Sequence, residues 1–174
     1  MMEAETKSPI TEVSTSVKND FRMAMRRHAA SVCLVTVSGD NALNGMTITA
    51  ATSFSMDPPA VLICINSSAS IAPCLGLGQS FGLTLLAEDQ EEIATAFARS
   101  PSGPGRFAHG DWALDASSPC LSGAASNLKC SVVETVAYGS HRAIIGRVDE
   151  VQLGTEVLGL VYRDGRYDKV SHSL

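Results

Sequence analysis

Aromatic residues are scarce in this chain, at 5%, and charged residues make up only 18%. Few charges and a net charge of −5 over 174 residues argue against a nucleic-acid partner, which would want a basic patch. No apolar run is long enough to cross a bilayer. Met1 to Asn19 lacks the charged-then-apolar layout of a secretory signal, so a cytoplasmic location is expected. The five cysteines (33, 64, 74, 120 and 130) are odd in number, have no metal-ligand spacing and lie mostly in apolar strings. They read as reduced core residues. The four histidines, at 28, 109, 141 and 172, are equally scattered, and no metal site is expected. Absent as well are a GxGxxG after a strand, a P-loop, an HExxH and a Gly-x-Ser-x-Gly elbow. No pair of carboxylates stands out for acid–base work. Catalytic side chains are therefore not expected, and a bound cofactor would supply the reactivity.

What is present is a core. Apolar residues make up 45% of the chain, enough for one folded domain. Residues 1–18 read as a polar, flexible tail and residues 19–170 as the domain. The sparse surface charge suggests that a second subunit hides some apolar surface.

The chain is organised around Gly45 to Asn66, GMTITAATSFSMDPPAVLICIN. Its first half alternates with period two. Thr47, Thr49, Ala51, Ser53 and Ser55 fall on one side, and Met46, Ile48, Ala50, Phe54 and Met56 on the other. Only Thr52 breaks the apolar row. The pattern predicts one strand with a core face and a small, hydroxylated free face. Asp57-Pro58-Pro59 ends that ladder, and Val61 to Ile65 reads as a buried strand. Taken alone, the stretch fits a ligand seat or an ordinary strand pair with a solvated outer face.

A helix is predicted from Asn19 or Asp20, with Phe21, Met25, His28 and Ala29 at helical spacing. Strands follow at Ser31–Val37, Phe81–Leu86, in the hairpin of Ala124–Val136 with His141–Val151, and at Leu158–Tyr162. Arg163 to Tyr167 is a hairpin turn with Asp-Gly at its tip. Ser68 or Ser70 could cap a short helix, and Asp89 another. A hydroxyl-dense loop at a helix start is either a phosphate seat or a set of caps. Arg106, in an irregular stretch with Trp112, is a candidate for an anionic group or a solvated arginine. Some seven strands and three short helices, without βαβ rhythm, predict a mainly β fold: an antiparallel Greek-key or meandering barrel with peripheral helices.

Taken in order, these pieces resemble the flavin reductase-like family, the small reductase components of two-component flavin monooxygenases. FRMAMRRHAASVCLVTV, the Thr/Ser strand with Asp-Pro-Pro, NSSAS, FGLTLLAEDQEEIATAF, Arg106-Phe107 with Trp112, GSHRAIIGRV and GLVYRDGRY carry the likeness. It spans Phe21 to Tyr167. The resemblance implies a split β-barrel of the FMN-binding type that forms a homodimer. It implies reduction of free FMN or FAD by NADH or NADPH, and delivery of the reduced flavin to a separate monooxygenase. It lays Thr47, Thr49, Thr52, Ser53 and Ser55 along the flavin, with main-chain groups of Met46, Thr47, Ile48 and Thr49 at its ring edge. Asn66, Ser67 and Ser70 fall by the ribityl-phosphate arm, with Phe81 and Gly82 near it. His141 is the expected nicotinamide contact. Where the family often has Gly-Asp-His, this chain has Gly139-Ser140-His141, and the lost acid bears on the histidine's tautomer and charge. Rival expectations are a barrel that binds flavin or haem without reductase activity, a dimeric interaction module, and a thiol enzyme using Cys64 or Cys120.

Overall fold

The structure, a computed structural model, describes residues 13–38, 43–114, 118–155 and 158–169. Helix α1 (Thr15–Arg26) leads into strands β1 (Ala30–Ser31), β2 (Cys33–Val37), β3 (Asn44–Ile48), β4 (Ala51–Met56) and β5 (Pro59–Asn66). After β6 (Ser80–Leu85) comes α2 (Glu91–Arg99), then β7 (Trp112–Ala113) and β8 (Cys120–Leu121). The long hairpin β9 (Ser126–Tyr138) and β10 (His141–Leu153) precedes β11 (Leu160–Arg163) and β12 (Arg166–Lys169). The protein is mainly β with few helices.

Seven strands form one antiparallel sheet in the order β3-β2-β6-β9-β10-β5-β4. Strands β3 and β4 are consecutive in the chain yet stand at opposite ends of that order. Only Thr49 and Ala50 separate them, a span of about 11 Å at most between Ile48 and Ala51. The sheet must therefore curl until its two edges nearly meet. No ladder joins β3 to β4 among the described residues, so the seam is not closed.

The apolar run at β2 is buried along its whole length because it faces two cores. Cys33, Val35 and Val37 point into the curled sheet with Ile63, Phe81 and Ile144. Val32 and Leu34 meet Phe97 of α2, Phe107 and Leu160 in a second cluster. There Phe97, Phe107 and Trp112 pack with ring centroids 4.9 to 5.4 Å apart. Trp112 also donates its indole N–H to the His109 carbonyl at 2.7 Å. The lone tryptophan thus belongs to the core, not to a ligand loop.

Several local expectations shift. Helix α1 starts at Thr15, capped by Ser14, whose Oγ accepts from the Val17 N–H; it begins ahead of Asn19 and takes in part of the 1–18 segment. Helix α2 follows Gln90 rather than Asp89. The segment after Ser70 makes only a 3-10 turn, Ala72–Cys74. Among the described residues the strands number twelve rather than about seven: three are two-residue strands, which carry no readable period, and the 45–56 stretch splits into β3 and β4. The Asp164-Gly165 turn joins β11 to β12 as expected, both residues having positive φ.

Candidate functional site

The predicted single strand at 45–56 is two strands. At β3, Ile48 is core and Met46 packs against it, as the alternation implies. After the Thr49-Ala50 step the phase changes: Ala51 packs against the core, whereas Phe54 and Met56 are 56% and 85% exposed. Strand register gives the reason. Thr52 pairs with Leu62 and Ser53 with Val61, and a bulge at Phe54 carries the ladder to Ser55 opposite Ala60. Thr52, the residue that broke the apolar row, therefore shares the outer face of β5 with Leu62 and Cys64. Ser53 sits opposite a core residue. Ser55 spends its Oγ on the Asp57 N–H, at 3.2 Å.

That outer face is the floor of a groove of ≈ 800 Å³. On this side it is lined by Thr52, Leu62 and Cys64 with the neighbouring Ala50 and Ala51, all small apart from the leucine. Thr49 and Tyr162 of β11 also line it. The roof is α1. Lys18, Phe21, Arg22 and Met25 all line the groove, and their i, i+3, i+4, i+7 spacing puts them on one helical face. None of the residues of α1 is buried; the helix is moored at its C-terminal end. Arg26 Nε donates to Asp164 Oδ1 at 3.0 Å and Nη2 to the Asp164 carbonyl at 3.0 Å, while the Asp164 N–H donates to the Arg26 carbonyl at 2.8 Å.

Among the described residues, strand β4 has β5 as its one sheet neighbour. One edge of its main chain therefore offers N–H and C=O groups that no ladder uses. A flat heterocycle on this floor would find small side chains beneath it and peptide donors at its rim. A second hollow of ≈ 590 Å³, between Thr47, Thr95, Arg99 and Tyr167, shares Thr49, Tyr162 and Gly165 with the first.

One step beyond Cys64 along β5 is a polar patch. Asn66 stands opposite His141 on β10, and His141 stands opposite Tyr138 on β9, so the three share the groove face. Asn66 Oδ1 accepts from the Ser68 N–H and Oγ, both at 2.9 Å. The Ser67 N–H donates to the Ser140 carbonyl at 2.8 Å, and Ser140 Oγ lies 2.9 Å from His141 Nδ1. Asn66, Ser67 and His141 are thus brought together, with the Ser140 hydroxyl beside the imidazole. Ser70 lies elsewhere, its Oγ accepting from Asn44 Nδ2 at the start of β3, at 3.1 Å.

Other expected site residues are used up by the fold. Phe81 is fully buried, and a ring without exposed surface cannot reach a ligand. Gly82 is buried, and a Cβ there would lie 2.5 Å from Thr36 Oγ1. Arg106 is 9% exposed and donates to the carbonyls of Ser100, Pro101 and Gly45. It pins the loop after α2 to β3, and burial lowers its pKa. Thr47 Oγ1 donates to the Ala94 carbonyl at 2.6 Å. Of the Met46–Thr49 stretch, Thr49 alone lines the main groove, while Thr47 and Ile48 border the smaller hollow.

Sequence reasoning overlooked the roof. Lys18 falls in the presumed tail, and Arg22, inside the predicted helix, is given no role there, though both continue the helical repeat of Phe21 and Met25.

Known proteins resemble this chain in sequence and in fold. The chain is 33% identical over 154 residues to the reductase component of an FADH(2)-dependent resorcinol hydroxylase from Rhizobium sp., covering 87% of this chain and 86% of that one. It is 34% identical over 163 residues to an NADH:FMN oxidoreductase of Rhodococcus qingshengii, covering 90% and 84%. The NADH:FAD oxidoreductase of Streptomyces globisporus C-1027, solved with NAD and FAD fragments, superimposes with a TM-score of 0.83 at 27% identity, covering 93% and 98%. The flavin reductase like domain matches residues 25–171, and with a match over most of its length this chain belongs to that family.

Proposed function

We propose that the protein reduces free FMN or FAD with NADH and passes the reduced flavin to a separate monooxygenase. The observation that carries this reading is the groove between α1 and the β4–β5 face. Relatives named NADH:FMN oxidoreductase and hydroxylase reductase component support it. The fold is read as a split β-barrel, in line with a curled sheet whose edges approach without pairing. A homodimer is part of the reading, because Phe54, Met56 and Leu153 are exposed and a second subunit would cover such a surface. No described helix is long and apolar enough to cross a membrane, and a cytoplasmic enzyme fits the partners proposed. Residues 19–170 are taken as one domain.

The donor set fits a flavin. The floor is small, the β4 edge presents peptide N–H groups, and Lys18 and Arg22 stand ready for a phosphate. Flavin and nicotinamide, when bound, supply the redox chemistry between them. The chain's own residues hold and orient. Thr49, Ala50 and Thr52 set the depth at which a ring can lie, and main-chain N–H groups along β4 would stabilise negative charge at its edge. Phe21 and Met25 keep water from the floor. Asn66 and His141 border the space above the far end, where Ser140 fixes the imidazole orientation. Alignment of two rings at near-attack distance is the protein's contribution to rate, and it requires no side-chain acid or base.

Steady-state oxidation of NADH and of NADPH with FMN, FAD and riboflavin in turn tests this. Flavin-dependent NADH consumption is expected. No consumption with any flavin would overturn it and leave the non-catalytic module.

A further inference from the structure

The geometry points to Lys18 and Arg22 of α1 as a phosphate-binding edge of the groove, engaging the phosphoryl group of a ligand whose ring lies on the β4–β5 floor. The inference rests on the function proposed above and adds to it the residues that hold the ligand's charge. In a chain of net charge −5, the groove is lined by four Lys or Arg side chains (Lys18, Arg22, Arg26, Arg163) and one carboxylate, Asp164. Two of those cations are accounted for. Arg26 holds Asp164 at 3.0 Å, and Arg163 pairs with Asp168 at 3.3 Å. Lys18 and Arg22 make no ion pair among the described residues.

Nor are these two needed to dock the helix, since the Arg26–Asp164 bonds do that. Lys18 and Arg22 are four residues apart on the stripe that faces the groove, about 6 Å along the axis. That spacing lets an ammonium and a guanidinium grip one phosphate or two linked ones, with the fork of Arg22 suited to two-pronged contact. Phe21 and Met25 alternate with them on the same face. The roof is therefore divided, apolar side chains over a ring and cations over an anion. The phosphate could belong to the flavin or to the dinucleotide; both offer the same chemistry.

The double variant Lys18→Ala/Arg22→Ala in the full chain tests the inference, and alanine preserves the helix. Flavin fluorescence gives the Kd of FMN and of riboflavin, which lacks the phosphate; steady-state kinetics give the KM for NADH. An FMN Kd raised at least about tenfold with riboflavin unchanged supports the edge and assigns it to the flavin phosphate. A raised NADH KM with both flavin affinities unchanged supports it and assigns it to the dinucleotide. No change in any of the three overturns it, and so does riboflavin weakening as much as FMN, which would mean a lost apolar roof. If the wild type neither binds flavin nor consumes NADH, the proposed function falls. Amide shifts on adding inorganic pyrophosphate then decide the inference alone: shifts in α1 that vanish in the double variant support it, and their absence overturns it.

Discussion

Arg26 and Asp164 grip each other in both directions: the guanidinium donates to the carboxylate and carbonyl of Asp164, and the Asp164 N–H donates back to the Arg26 carbonyl. The clasp joins the last turn of α1 to the β11–β12 turn and sets the height of the roof. Both side chains are about half exposed, so Arg26→Ala should change global stability by less than about 1 kcal/mol. Hydrogen exchange along residues 15–26 should accelerate, with a few-fold rise in flavin Kd. Asp164→Gly should do less, because glycine suits the positive φ there and the main-chain bonds persist. Exchange in α1 unchanged by Arg26→Ala would show that other contacts carry the helix.

Arg106 is a fold residue. Arg106→Ala strands the carbonyls of Ser100, Pro101 and Gly45 that it satisfies. The expected loss is about 3 kcal/mol, or roughly 10 °C in Tm for a chain of this size. Arg106→Lys should rescue little, since an ammonium cannot span the same three acceptors. Flavin affinity below the transition should stay within twofold of wild type. A large affinity loss with little change in Tm would restore Arg106 to the site.

Gly146 and Phe81 are matched by volume. A Cβ at Gly146 would stand 2.4 Å from Phe81 Cζ, so Gly146→Ala should cost about 1–3 kcal/mol through overpacking. Phe81→Leu frees part of that space. The double variant should be more stable than the two single losses added together, and a double-mutant cycle in urea measures the coupling. Strict additivity would mean that the two residues do not compete.

Burial pushes the thiols of Cys33 and Cys130 up to about 12, with Asp149 adding to the effect at Cys130. A folded-state pKa raised above the ordinary 9.0 gives stability that is complete below that value and declines as pH climbs through about 12. Stability measured across this alkaline range should therefore fall, and less steeply in Cys33→Ala. In the native protein near pH 8, alkylation should spare both residues, because the thiolate is the reactive form. Fast labelling of Cys33 would contradict its burial.

Much of the fold is written in local patterns. The two-sided apolar run of β2, the long β9–β10 alternation and the Asp-Gly turn each declare themselves through side-chain period or turn chemistry. The site was less legible, for a physical reason. Small residues from Thr49 to Ser53 look alike whichever way they point, so the strand break at Thr49-Ala50 and the bulge at Phe54 leave no mark in the alternation. Arg106 and Phe81 show the converse. Their chemistry suits a ligand, and only the three-dimensional packing reveals that backbone and core already occupy them. Ser38-Gly39-Asp40-Asn41 reads as a turn cluster, but residues 39–42 lie outside the described residues.

Thr52 and Ser53 distinguish the groove from its alternatives most sharply. They are neighbours in the chain, similar in size and on opposite faces of β4. Titration of FMN into Thr52→Trp and Ser53→Trp, with Kd read from flavin fluorescence, puts the seat of the ring to direct trial. Thr52→Trp should raise the Kd at least about tenfold, with Ser53→Trp near wild type. Equal affinities in both variants, or a greater loss at Ser53, would contradict a ring seated between α1 and the β4–β5 face.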